Sequence, residues 1–137
     1  MAVAKWAAPS ARSSNIADTT LNSLASGGES TVVTYDNSAA LNLYSVVTIK
    51  LGSITPATGG SITLRVTLSD GTDTADRIGG DLYVVPLTSG AGAKVAVINM
   101  VRLYPFSMRL SVVNNAGVAF AASGNELYVR PWNEDVT

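Results

Sequence analysis

The chain contains no cysteine and no histidine. The first absence excludes disulfide frameworks, thiolate metal sites and cysteine nucleophiles. The second removes imidazole as a general base, as a metal ligand and as the middle member of a Ser-His-Asp triad. Charge is scarce as well: charged residues make up 14% of the 137 positions, and nine basic against ten acidic side chains leave a net charge of −1. A balance this close to neutral carries no electrostatic footprint for a nucleic-acid partner. No run approaches the roughly 18 apolar residues of a membrane-spanning helix. The opening MAVAKWAAPSARSS is broken by Pro9 and holds no apolar stretch of signal-peptide length. A soluble chain, with no membrane partner and no cleaved export signal, is expected.

What is present is hydrophobic. Residues of that class reach 47%, and a chain of this length closes one core without covalent staples. With so few charges to cover its surface, such a domain is expected to hide apolar area between subunits. Residues 1–15 read as an arm of small and polar residues around a lone aromatic, Trp6, that orders against a partner. Residues 16–137 read as the folded domain. In DTTLNSLASGG, Asp18 or Thr19 can cap a short helical turn carrying Leu21 and Leu24, or the segment is a loop anchored by the two leucines.

From Ser30 onward the pattern is β. NLYSVVTIKL alternates, with Leu43, Ser45, Val47, Ile49 and Leu51 on one face and Tyr44, Val46, Thr48 and Lys50 on the other. SITLRVTL sets Ile62, Leu64, Val66 and Leu68 against Thr63, Arg65 and Thr67, as for a strand with one wet face. KVAVINMVRLYPF is apolar on both faces and fits one bent strand or two; SMRLSVV and VAFAA follow. Gly, Asn, Asp and Ser turns separate these segments. The count is eight to nine strands without a long helix, which predicts an all-β, antiparallel β-sandwich of jelly-roll type preceded by a short N-terminal arm.

One phrase occurs twice. GGDLYVVP runs from Gly79 to Pro86 and GNELYVRP from Gly124 to Pro131. Leu-Tyr-Val is strongly β-forming, and Pro removes a ladder donor, which places each copy at a strand end or along a sheet edge. In the first copy both faces are apolar, as for a strand covered on both sides. In the second, Leu127, Val129 and Pro131 make the core face, and Tyr128, Arg130 and Trp132 make the other. Tyr, Arg and Trp are the types enriched at interface hot spots. With Trp6 they form the set of interface candidates: Trp6, Tyr128, Arg130 and Trp132.

Catalytic inventory is thin. Asp70, Asp73 and Asp76 lie three apart, whereas an EF-hand loop needs acids at alternate positions and a distal Glu. Asp81 and Glu126, the acids of the two echoes, are the only pair placed for carboxylate catalysis, and an acid at a solvated strand start is ordinary. SGAGA lacks the Lys and helix of a phosphate cradle. No catalytic residue, metal site or cofactor is expected. Two tryptophans and five tyrosines leave sugar binding on an aromatic platform as an alternative.

The order of these phrases matters more than any one of them. An arm with a Trp, TTLNSLASGG before the first strong strand, DNS ahead of a long apolar strand, GGDLYVVPL in mid-chain and a closing GNELYVRPWNEDV follow one another over nearly the whole chain. In this the chain resembles the small β-sandwich virion proteins of tailed bacteriophages, in particular their jelly-roll cement, or head decoration, proteins. The resemblance implies a protein without catalysis that sits on the capsid surface of the virion. There it would bind the major capsid protein, commonly as a homotrimer, and clamp neighbouring capsomers. A tail-associated or receptor-binding jelly roll is the rival within the virion, and a carbohydrate-binding β-sandwich module is the rival outside it.

Overall fold

The computed structural model describes residues 2–67, 72–74 and 81–136. Among the described residues, nine strands run in chain order: β1 (Ala4–Trp6), β2 (Val33–Asp36), β3 (Tyr44–Ile54), β4 (Ser61–Thr67), β5 (Asp81–Pro86), β6 (Gly92–Arg102), β7 (Ser107–Asn115), β8 (Glu126–Trp132) and β9 (Glu134–Val136). They form a four-stranded sheet in the order β2-β7-β4-β5, a three-stranded sheet in the order β6-β3-β8 and a separate ribbon of β1 with β9. All the pairings are antiparallel. Apart from the β4–β5 step, each connection from β2 to β8 crosses between the two sheets. The protein is an all-β, antiparallel sandwich of jelly-roll type.

The core lies between the sheets and follows the alternation closely. Ser45, Val47, Ile49 and Leu51 of β3 are buried, as are Ile62, Leu64 and Val66 of β4, Leu110 and Val112 of β7, and Leu127 and Val129 of β8. Leu43 departs from the pattern, because it lies outside β3 and is exposed. β6 is a single strand with one extra residue opposite β3 between Ser45 and Val47. Such a bulge shifts the phase of a strand. Lys94, Ala96 and Ile98 point inward before it and Val101 after it, so the sequence looks apolar on both faces.

Several expectations change against this frame. The outer face of β4 is not wet: Thr63 and Thr67 are buried, because β4 lies inside its sheet between β7 and β5. VAFAA forms no strand; it is a loop whose Phe120 plugs the core. The segment 17–24 is a series of turns rather than a helix, with Asp18 and Ser23 at positive φ and Leu21 fully buried. In β5 the apolar faces are unequal: Leu82 is 55% and Val84 64% exposed, while Tyr83, Val85 and Leu87 pack against the core. The strand is covered on one side only. Of the acids in the 69–80 loop, Asp70 and Asp76 lie outside the described residues.

The arm also departs from its expectation. It lies along the free edge of β8 of its own chain instead of waiting for another. The amides of Ala7, Ser10, Ser13 and Ile16 donate to the carbonyls of Asn133, Pro131, Val129 and Leu127, at 2.8–3.0 Å. Side chains answer in the other direction: Leu127 N donates to Asn15 Oδ1 and Val129 N to Ser13 Oγ, both at 2.9 Å. Pro131 has no N–H to offer, so the edge is closed at each of its donors within 127–131. An open edge is an invitation to pair with another chain, and this strap removes it.

Candidate functional site

The outer face of the β6-β3-β8 sheet gathers the residues singled out in the sequence. Its cross-strand rows follow from the register. Arg102, Tyr44 and Trp132 form the first row, and Val46 and Arg130 form the second, beside the bulge residues Asn99 and Met100. Val97, Thr48 and Tyr128 form the third, and Val95, Lys50 and Glu126 the fourth. Directly opposed side chains in such rows touch. Trp132 stacks on Tyr44 with ring centroids 4.6 Å apart at 26°, and Trp6 meets Trp132 edge to face at 4.8 Å and 80°.

Trp6 belongs to β1, whose pairing with β9 turns the start of the chain over the end of the sheet. It is 69% exposed. It forms one wall of an open groove of about 530 Å³. Pro9 continues that wall, Val46 and Trp132 line the groove between, and Asn99 and Met100 of β6 close the far side. Beyond the groove the apolar surface continues along β6, where Val95 is 60%, Val97 49% and Met100 55% exposed.

The β8 side of the face is polar and mostly self-satisfied. Tyr128 Oη donates to Glu126 Oε2 at 2.6 Å, and Lys50 Nζ stands 3.8 Å from the same oxygen. The arm lays the Arg12 guanidinium over the Tyr128 ring at 3.7 Å from its centroid. The hydrogen bond to Glu126 raises the Tyr128 pKa, since ionising the phenol would set two anions together, and the Arg12 charge works against that rise. Arg130 is exposed and in no ion pair among the described residues.

At the Arg102 end of the face, a second cleft of about 370 Å³ is lined by Leu41, Leu43, Tyr44, Arg102 and Tyr104. There Tyr104 Oη donates to Asp81 Oδ2 at 2.8 Å. Burial and that carboxylate both raise the Tyr104 pKa, burial first. Asp81 and Glu126, which stand on different sheets, thus serve different tyrosines and do not face one substrate.

Of the four sequence candidates, the structure joins Trp6 to Trp132 directly and places Tyr128 and Arg130 on the same sheet face. Sequence reasoning missed Tyr44, Arg12, Val95, Val97 and Met100. The even-numbered face of NLYSVVTIKL held the signal for Tyr44. The β6 residues were hidden by the bulge, and nothing local marks Arg12. No protein-family model matches the chain and no curated protein matches its sequence. Among solved structures it is similar to one described as TmCBM61 in complex with beta-1,4-galactotriose. The match covers 99% of this chain and 88% of that chain at 11% identity and a TM-score of 0.35.

Proposed function

We propose that the protein is a non-enzymatic structural subunit of a bacteriophage virion, a cement protein that binds the outside of the head and stabilises contacts between capsomers, as a homotrimer. The observation that carries the reading is the outer face of the β6-β3-β8 sheet, where Trp6, Trp132, Val95, Val97 and Met100 leave an aromatic and aliphatic surface open. Contiguous apolar surface of this kind marks an interaction site. The resemblance of the order of its phrases to head decoration proteins supplies the partner, the major capsid protein. The absence of histidine and cysteine from the sequence supports binding over catalysis.

The test is to add the purified full-length chain, in separate samples, to heads assembled from the major capsid protein alone and to isolated tails, and to image both. Regular density on the shell supports the reading. Density confined to tails moves the protein to the rival virion role, and no density on either refutes both. A second reading rests on a different feature of the same face: an indole 69% exposed beside a groove that includes the Asn99 amide can stack a sugar ring. A glycan array followed by titration calorimetry decides it. Saturable binding lost in Trp6→Ala supports a carbohydrate-binding role.

A further inference from the structure

The β6-β3-β8 face carries two features that belong together only at an interface. One is the apolar strip Val95, Val97, Val46 and Met100 with the Trp6–Trp132 groove at its end. The other is its border. Arg130 lies directly across from Val46, and Arg102 directly across from Tyr44. Neither guanidinium is in an ion pair among the described residues, although Arg102 lies 5.8 Å from the Tyr104 ring centroid. Arg12 lies over Tyr128, and the one acid on the strand face, Glu126, is already shared by Lys50 and Tyr128. On the strand face the border is therefore cationic, beside a strip that is neutral and exposed to solvent.

A partner covering the strip also desolvates its rim. A guanidinium taken from water without a counter-charge costs several kcal/mol, so a neutral apolar surface does not fit here. A second copy of this face does not supply the counter-charge either, because the acid on its strand face, Glu126, is already engaged by Lys50 and Tyr128. We infer that this face docks a different protein chain, one that offers an aliphatic strip flanked by carboxylates placed to meet Arg130 and Arg102. The inference rests on the cement reading, in which that chain is the shell protein, and it names the surface by which the shell is held.

The experiment measures binding of full-length variants to undecorated heads by co-sedimentation, with circular dichroism and urea midpoints as folding checks. Val95→Lys with Val97→Lys tests the strip, Arg130→Glu with Arg102→Glu tests the border, and Leu82→Lys with Val84→Lys is the control on the opposite sheet. The expected result is at least a ten-fold loss of affinity for the first two pairs, with the control binding as the wild type does. Wild-type affinity should also fall as salt rises. Head binding that survives both test pairs but fails in the control overturns the assignment and moves docking to β5. Test variants that lose self-association while still binding heads assign the face to a second copy and overturn it too. A wild type that never binds heads removes the cement reading, and the docking partner with it, which is a different result from either.

Discussion

Asn15 is where the strap along β8 is fastened, and removing its side chain tests whether the arm is part of the fold. Its Oδ1 accepts from Ala17 N at 3.1 Å and from Leu127 N at 2.9 Å. The Leu127 carbonyl is taken in turn by Ile16 N at 3.0 Å. In Asn15→Ala both amides lose their acceptor, and Leu127 N lies under the strap. A hydrogen bond lost between partly buried groups costs about 0.5–1.5 kcal/mol, and a buried donor left unmatched about 1–3. The expected loss is about 2–3 kcal/mol. With an m-value of about 2 kcal/mol/M, the urea midpoint falls by about 1 M.

Asn15→Asp separates the acceptor from the rest of the side chain. It keeps an oxygen at the same position and gives up only the Nδ2 contact to Asp18 O, which at 3.5 Å is at the limit of a hydrogen bond. Its midpoint should lie within about 0.3 M of the wild type, about 0.6 kcal/mol at the same m-value. Amide exchange supplies the local readout: in Asn15→Ala, Leu127 and Val129 exchange faster while the central strand β3 keeps its protection at Ile49. If Asn15→Ala unfolds with the wild type and Leu127 exchanges at an unchanged rate, the arm is not a structural strap, and β8 is an open edge in solution.

Three further outcomes are expected. Leu127→Ala empties a fully buried site between the sheets and should cost about 2–4 kcal/mol in urea unfolding. Asn114→Ala should cost about 3–5 kcal/mol, because the side chain donates to Leu24 O and Val118 O and accepts from Ala116 N, all at 2.8–2.9 Å. Tyr104 contributes to the alkaline pH dependence, alongside Tyr35, Tyr83 and Tyr128, whose pKa values are raised too. Its folded pKa is raised by burial and by Asp81, so its stabilisation is complete below the ordinary phenol value of about 10 and is lost as pH rises through the folded value. Urea midpoints between pH 8 and 11 should therefore fall less steeply in Tyr104→Phe than in the wild type.

Strands β3 and β8 could be read from the chain because one face of each, Ser45 apart, is apolar over several alternations, and a one-residue slip would have put that face in water. β6 could not be read in the same way. Its bulge exchanges inward and outward positions in mid-strand, and a pattern that assumes constant period then reads as apolar everywhere. The loops hid a different kind of information. Asn37, Asn114 and Asn125 stand in runs that signal turns, yet all three are buried. Each uses both ends of its amide: Asn37 bonds the backbone of Asn42 and Tyr104, Asn114 that of Leu24, Val118 and Ala116, and Asn125 ties the Ala121 carbonyl and the Asn22 side chain to the Gly52 amide of β3. An Asn that caps its own turn and one that fastens a remote segment look alike in sequence, because the difference lies in what has folded against them. The arm is the same case on a larger scale. Its small polar residues promise no core contact, and its binding to β8 is made mostly by main-chain groups that every sequence possesses.

The repeated phrase shows how little separates two opposite placements. Both copies lie on edge strands, β5 of one sheet and β8 of the other, where a proline that lacks a donor is harmless. Their faces are reversed, however. Leu127, Val129 and Pro131 point into the core, while Leu82, Val84 and Pro86 point out of it. The seventh letter of the skeleton accounts for the difference. In β8 it is Arg130, on the face of Tyr128 and Trp132, and an unpaired guanidinium cannot be buried at acceptable cost, so the leucine face must go inward. In β5 it is Val85, which aligns with Tyr83 and Leu87 to make a second face bulkier than the first. The same parity brings Asp81 to the Tyr104 hydroxyl. Sandwich packing takes the bulkier face and leaves Leu82 and Val84 in solvent. Identical local β-propensity therefore specifies that both segments are strands, and a single side chain on the opposite face decides which way each one looks.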